Sequence, residues 1–325
     1  MPHPIDRRGF LNWSASGLAA TASLHLLMRD GVVSAAPPQA AKAKRAVQIS
    51  LVGGLSHVDS FDHKPELAKR HGRPLGGDAS PDVFFGQVGL LRKPDWAFRQ
   101  RGQSGLWVSD LFPHLAGVAD DLTVVNSMTA DSANHTPALF VQNSGFQFNG
   151  YPALGSWLSF GLGTAADDLP AFVGLPDGRG DPNGAASNWT SGFLPARHQG
   201  VIFRGGAAPV RDLFPERPVP AAEELASREF LAKLNALHLD RAGGEADLAA
   251  RITSYELAAK MQLAVPAVAD LSRETAKTKA LYGLDDAVTA DGGRRCLLAR
   301  RLLEKGVRFV QVYSGGPIAG TPRTS

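Results

Sequence analysis

Gly293–Tyr313 reads GRRCLLARRLLEKGVRFVQVY, and this stretch decides the fold class. Up to Lys305 it has the character of a helix, and its last turn collects Arg300, Arg301 and Lys305, where the negative end of a helix dipole favours cations. Gly306 supplies the stop. The apolar run VRFVQVY follows at once. Helix, glycine and buried strand in that order form a crossover returning to a parallel sheet, because antiparallel neighbours need only a short turn between them.

The flanking sequence extends the same alternation. Arg45–Val52 (RAVQISLV) is an apolar run ending in Gly53-Gly54, as a buried strand feeding a loop should be. Ser109-Asp110 predicts the cap of a helix running to Asp120, and Leu122–Val125 a second short strand. Pro152–Leu162 predicts a helix and Ala171–Leu175 (AFVGL) another buried strand. From Leu175 to Pro220 the Gly, Pro and Asn content predicts a long loop, either an active-site surround or an inserted element. Residues 221–239 and 245–263 form a helical hairpin (220–264 overall), with Leu248, Ile252, Tyr255, Ala259 and Leu263 on one face of its second helix and Met261 beside them as core filler. The expected class is α/β: a mainly parallel sheet flanked by helices, elaborated by the hairpin.

Composition narrows the function. The 325 residues carry 34 Lys and Arg against 31 Asp and Glu, without basic runs, which excludes nucleic acid as a partner. With 44% apolar residues, 5 Trp and 16 Phe the chain can bury a large core, while 35 Gly and 22 Pro require many loops. The single cysteine, Cys296, forms no internal disulfide and reads as a small buried group. Residues 1–36 place Arg7-Arg8 ahead of Gly9-Phe10-Leu11, then a weakly apolar run, then Ser34, Ala35 and Ala36. This is the layout of a twin-arginine signal peptide. It predicts cleavage near Ala35 or Ala36, a twin-arginine translocase as export partner, and a periplasmic or secreted location. Residues 37–44 read as a linker. The segment is too short and polar for a stable transmembrane span.

Candidate chemistry collects where strands end, as it does in open α/β sheets. After the first strand, GGLSHVDSFDHKP brings His57, Asp59, Asp62 and His63 together. Carboxylate and imidazole suit a divalent metal or acid/base work, and equally an ordinary polar loop. After Leu122–Val125, Thr129, Asp131, Ser132, Asn134 and His135 crowd the turn before a helix expected to begin near Thr136-Pro137. A hydroxyl there could attack a phosphorus or sulfur ester, or Ser132 or Asn134 could simply cap the helix. His198, in NWTSGFLPARHQG, lines a pocket or belongs to a structural plug.

The ordered segments RRGFL, GGLSHVDSFD, VNSMTADSANHTP, GSWLSFGLG, LPAFVGLP, NWTSGFLPARHQG, SYELAAKMQ and LLARRLLEKGVRFVQVYSGGP resemble the domain-of-unknown-function family 1501 of exported bacterial proteins. The family is similar to the alkaline phosphatase and sulfatase superfamily. That resemblance implies a metal centre (Zn, Ca, Mg or Mn) at the carboxyl edge of the sheet and phosphoryl or sulfuryl transfer. It assigns a metal-ligand position to Asp59, with His57, and the nucleophile region to the turn from Thr129 to His135, where Thr129, Asp131 and Ser132 are candidates; His135 is a further candidate metal ligand, and Asn134 and His198 are candidate substrate contacts. It further implies that relatives continue beyond VYSGGP into a Trp-Asp-x-His segment and later ligands, so residues 45–325 are expected to be the N-terminal portion of such a domain. The expected function is that of an exported sulfatase- or phosphatase-like hydrolase, inactive as this chain, and the alternative is a non-catalytic periplasmic or surface protein on the same scaffold that binds carbohydrate, such as a sulfated or phosphorylated polysaccharide, or a protein partner.

Overall fold

A computed structural model describes residues 42–76, 88–205, 209–214, 217 and 219–317. The segment read as a twin-arginine signal, most of the expected linker and the chain beyond Pro317 lie outside the described residues. Residues from Arg45 onward form one compact unit. Its elements are β1 (Ala46–Leu51), α1 (Pro65–Lys69), β2 (Phe98–Arg101), β3 (Leu106–Ser109), α2 (Pro113–Ala116), α3 (His135–Ser144), α4 (Leu154–Leu162), β4 (Phe172–Leu175), β5 (Val201–Ile202), α5 (Ala221–Arg241), α6 (Ala246–Ala269), α7 (Ala276–Leu281), α8 (Ala290–Glu304) and β6 (Phe309–Ser314).

Four strands form a parallel sheet in the order β1-β6-β4-β5, so the fold is α/β with a mainly parallel sheet flanked by helices. The chain leaves β1, passes over the position that β6 will fill, and returns through α8 and Gly306 to fill it. β6 is central, and its first five residues are buried, which is why FVQVY is an apolar run broken only by Gln311. Side chains alternate across the sheet. Val173, Leu175, Val310 and Val312 pack on one face with Met261, Val265 and Val268 of α6 and Leu298 and Leu302 of α8. Phe172, Phe309 and Tyr313 pack on the other with Leu139 of α3, Ala153 and Trp189. Each large side chain removed from water in this way contributes about 1.5–3 kcal/mol. α4 crosses the second face so closely that a Cβ on Gly155 would stand 2.5 Å from the Phe172 ring.

A polar layer runs through the second face. Gln48 and Gln311 pair in register on neighbouring strands. The Gln311 side-chain amide donates to Asn143 Oδ1 (2.7 Å), and the Asn143 amide donates to Asn188 Oδ1 (2.9 Å) and to the Tyr313 hydroxyl (3.2 Å). Burial pushes the Tyr313 hydroxyl far above its ordinary range, so it stays protonated.

Several elements differ from expectation. Leu122–Val125 is not a strand: residues 122–126 join no ladder, and Val125 is 67% exposed. Ser109 does not cap a helix; it ends β3, and only the short α2 and a 3-10 turn at Ala119–Asp121 follow. The antiparallel ribbon β2–β3 and the two-residue β5, inside a stretch read as loop, were not expected. In α6 the buried face is Ala250, Leu257, Met261, Val265 and Val268, while Tyr255 and Leu263 of the expected stripe are 76% and 80% exposed. The sheet covers only one of two apolar stripes on that helix.

Candidate carboxyl-edge site

At the end of β1, Gly53 and Gly54 take positive φ angles of 98° and 86°, turning the chain into a 3-10 helix at His57–Asp59. His57 and Asp59 thus share one short turn. Both Asp59 carboxylate oxygens are occupied: Oδ2 accepts from the Ser56 hydroxyl (2.6 Å) and Oδ1 from the backbone N–H of Asp95 (3.3 Å). The exposed His57 ring lies 3.1 Å through Nδ1 from the buried Asp62. Asp62 also binds Lys64 at 2.8 Å, and Lys64, more than His57, holds its carboxyl below the usual range despite the opposing effect of burial. The His63 ring packs on Trp107 (centroids 4.1 Å apart) and Phe98 (5.2 Å), so it serves packing.

The second expected group assembles at the start of α3. Asn134 is the N-cap, its Oδ1 accepting from the Thr136 N–H at 3.2 Å, and the helix begins at His135. The Ser132 hydroxyl accepts from the Asn134 N–H (3.2 Å), a local turn that uses the oxygen for structure. Thr129 and Asp131 are exposed in the preceding loop, where Ser127 adopts a left-handed φ of 62°. No hydrogen bond or ion pair among the described residues joins this group to the β1 turn.

His198 lies elsewhere. Its ring is buried beside α4, with Nδ1 2.9 Å from the Ser159 hydroxyl and Nε2 accepting from Arg197 Nε–H at 3.1 Å. Because an arginine N–H can only donate, Nε2 carries no proton and Nδ1–H must point to Ser159. The ring is therefore neutral and is not placed to take the Ser159 proton. Burial, and then the Arg197 charge, push its pKa down. The cavity it lines includes Ala171, at the amino end of β4, so His198 sits at the sheet edge opposite the β1 turn.

The strongest polar constellation at the carboxyl edge is one that sequence reading did not single out. A cleft of about 710 Å³ opens beyond the ends of β4 and β5, lined by Arg204, Arg211, Arg294 and Arg295 against Asp177, Asp181 and Asp291. Asp177 is its hub. Oδ1 accepts from the Arg179 N–H (3.0 Å) and Nε (2.7 Å), and Oδ2 from Gly315 N–H (2.8 Å), Arg295 Nη2 (3.1 Å) and Arg179 Nη2 (3.3 Å). Burial alone would raise this carboxyl, but the Arg179 guanidinium, the two N–H donors and the Arg295 charge outweigh it and hold it well below the usual range. Arg295, 8% exposed, also donates to the Tyr313 carbonyl and to Asp291 Oδ2 (2.9 Å). This clamp ties α8 to the ends of β4 and β6. Arg204 is held by Asp181 through two bonds of 2.7 and 3.1 Å. Arg211 and Arg294, both exposed, have no carboxylate partner among the described residues. The cleft can accept an anion, since its carboxylates are spent on bracing and two guanidinium groups are not. The rule used for β1 would have led to Asp177, directly after the AFVGLP strand.

A divalent metal does not fit the residues the resemblance assigned to it. Among the described residues no three His, Cys, Asp or Glu side chains converge as a ligand set, and the Asp59 oxygens already have donors.

Fold and site together define an α/β protein whose parallel sheet carries its polar chemistry at the carboxyl edge. The family model for the protein of unknown function family DUF1501 matches residues 43–316, and the chain belongs to that family. Neither the curated proteins nor the solved structures contain a match.

Proposed function

We propose that the protein is an exported binding protein for a sulfated or phosphorylated polysaccharide, built on a sulfatase- or phosphatase-like α/β scaffold. The observation that carries this reading is the cleft beyond β4 and β5, where Arg211 and Arg294 stand without carboxylate partners beside the braced Arg204. Guanidinium groups match the planar pairs of oxygens on sulfate and phosphate esters and remain charged at any accessible pH. Hydrolysis by the β1 and α3 groups is less supported, because Asp59 and Ser132 spend their polar atoms on local structure. Export rests on the order of Arg7-Arg8, apolar run and small residues.

Titration calorimetry with dextran sulfate and with neutral dextran tests the reading. The expected result is salt-sensitive binding of dextran sulfate alone, weakened at least about tenfold by Arg211→Ala with Arg294→Ala. Equal affinity for the two polymers, or none for either, would remove it. Turnover of an aryl sulfate or aryl phosphate that vanishes in Ser132→Ala would replace it with the hydrolase reading.

A further inference from the structure

α5 turns a polar face to its neighbour and leaves most of its large apolar side chains uncovered by the described residues. The positions partly covered by α6 are Glu224, Arg228, Asn235 and Leu239, three of them polar. Arg228 makes the junction, bonding to the Ala259 carbonyl (3.4 Å), to Gln262 Oε1 and back to Glu224. Four large apolar residues face elsewhere, while Leu225, 60% exposed, stands apart on another side. Phe230, Leu231, Leu234 and Leu237 are 66%, 53%, 50% and 56% exposed. At about 100° per residue they form one stripe roughly 120° wide, with the i, i+4, i+7 spacing of helix-to-helix anchors. A soluble protein rarely leaves such a stripe uncovered.

The charges at the two ends of the stripe select its occupant. Glu223 lies in line with the stripe at its amino end and Arg241 in line with it at its carboxyl end. Both side chains are exposed and have no ion-pair partner among the described residues. We propose that α5 pairs antiparallel with α5 of a second copy of this chain, about a two-fold axis at Ala232. That axis sets Phe230 against Leu234, Ser227 against Leu237, and Glu223 against Arg241, each contact occurring twice, as an isologous interface requires. One helix face thus supplies both the apolar seam and the complementary charges. A lipid surface is a poorer fit, because Glu223, Glu224, Glu229 and Asp240 outnumber Arg228, Lys233 and Arg241, and an anionic membrane would be repelled.

Sedimentation velocity on the full chain at micromolar concentrations, together with circular dichroism, tests the pairing. The expected species is a dimer. Leu234→Glu should weaken it at least roughly thirtyfold while the helical signal is kept, as loss of a central anchor does. Glu223→Arg alone sets two like-charged contacts across the axis and should weaken association about tenfold. Combining Glu223→Arg with Arg241→Glu restores the contacts in reverse and should recover the dimer, which a merely structural defect would not allow. A wild-type chain that stays monomeric at 100-fold higher concentration, or a charge exchange that fails to recover association, overturns the proposal.

Discussion

The Asp177–Arg295 clamp yields the sharpest stability prediction. Replacing Asp177 with Asn keeps the volume and removes the charge. The carboxylate accepts five hydrogen bonds, three from Arg179 and one each from Gly315 N–H and Arg295 Nη2. An amide keeps one acceptor oxygen and presents N–H donors where the other stood. If the oxygen stays on the Arg179 side, the Gly315 N–H faces a donor and is left unpaired, at about 1–3 kcal/mol. Arg295 then loses its buried counter-ion, and removing one partner of a buried pair costs about 3–5 kcal/mol. Arg295 keeps the Tyr313 carbonyl and the half-exposed Asp291, so the two effects overlap and the lower end applies. About 3 kcal/mol is expected, which corresponds to a fall in Tm of roughly 5 °C for a unit of this size. Urea and thermal unfolding at pH 7 measure it, and the double variant with Arg295→Met should lose less than the two single losses added together. A loss below about 0.5 kcal/mol would place the pair among ordinary surface bridges and refute the reasoning. The sign with pH is also determined. Because the folded carboxyl lies below its unfolded value, its stabilisation is present above about pH 4 and drains away as pH falls further.

Three further outcomes follow from the geometry. Of the 4 tyrosines, Tyr313 should stay protonated in an alkaline titration followed at 295 nm until the chain unfolds, and a phenolate signal before unfolding that is lost in Tyr313→Phe would contradict its burial. Since burial and Arg197 lower the His198 pKa, the unfolded chain binds a proton that the folded ring resists, so stability falls as pH drops through about 6.5. His198→Gln should flatten that slope between pH 7 and 5.5 in urea midpoints, and an unchanged slope would assign it to other groups. Gly155→Ala should destabilise by about 1–3 kcal/mol in urea unfolding, because the added methyl meets the Phe172 ring at 2.5 Å, and a raised midpoint would show that α4 shifts freely on the sheet.

What the sequence discloses about this protein depends on how local each feature is. β4 and β6 are legible because strands buried in a parallel sheet need apolar runs, and the end of α8 because cations and Gly306 mark it. β1 shows the same apolar run, but among the described residues it is an edge strand with Val47, Ile49 and Leu51 47%, 53% and 42% exposed rather than the buried strand expected. Leu122–Val125 has the same local appearance, but a strand exists only when a neighbour completes its ladder, and residues 122–126 find none. The β2–β3 ribbon escapes for the converse reason: FRQR is polar, and its pairing partner at Leu106–Ser109 supplies what its own pattern lacks. The site divides along the same line. The turn at His57–Asp59 and the Asn134 cap are local and visible as polar clusters. Asp177 acquires its character from Arg295, 118 residues away, and no pattern around either residue announces the other.

Helix faces set the harder limit. α6 carries two apolar stripes, and periodicity found the one holding Tyr255 and Leu263 because its spacing is regular, whereas the sheet selected the one holding Met261, Val265 and Val268. Periodicity measures how apolar residues are arranged around an axis, not what lies opposite them. On a helix that touches only one neighbour, a surplus apolar stripe would be a standing cost in exposed surface and aggregation. The stripe is therefore informative in proportion to how poorly the fold accounts for it. In α5 the described residues account for none of it: α6 takes the polar face through Arg228, and Phe230, Leu234 and Leu237 are left exposed.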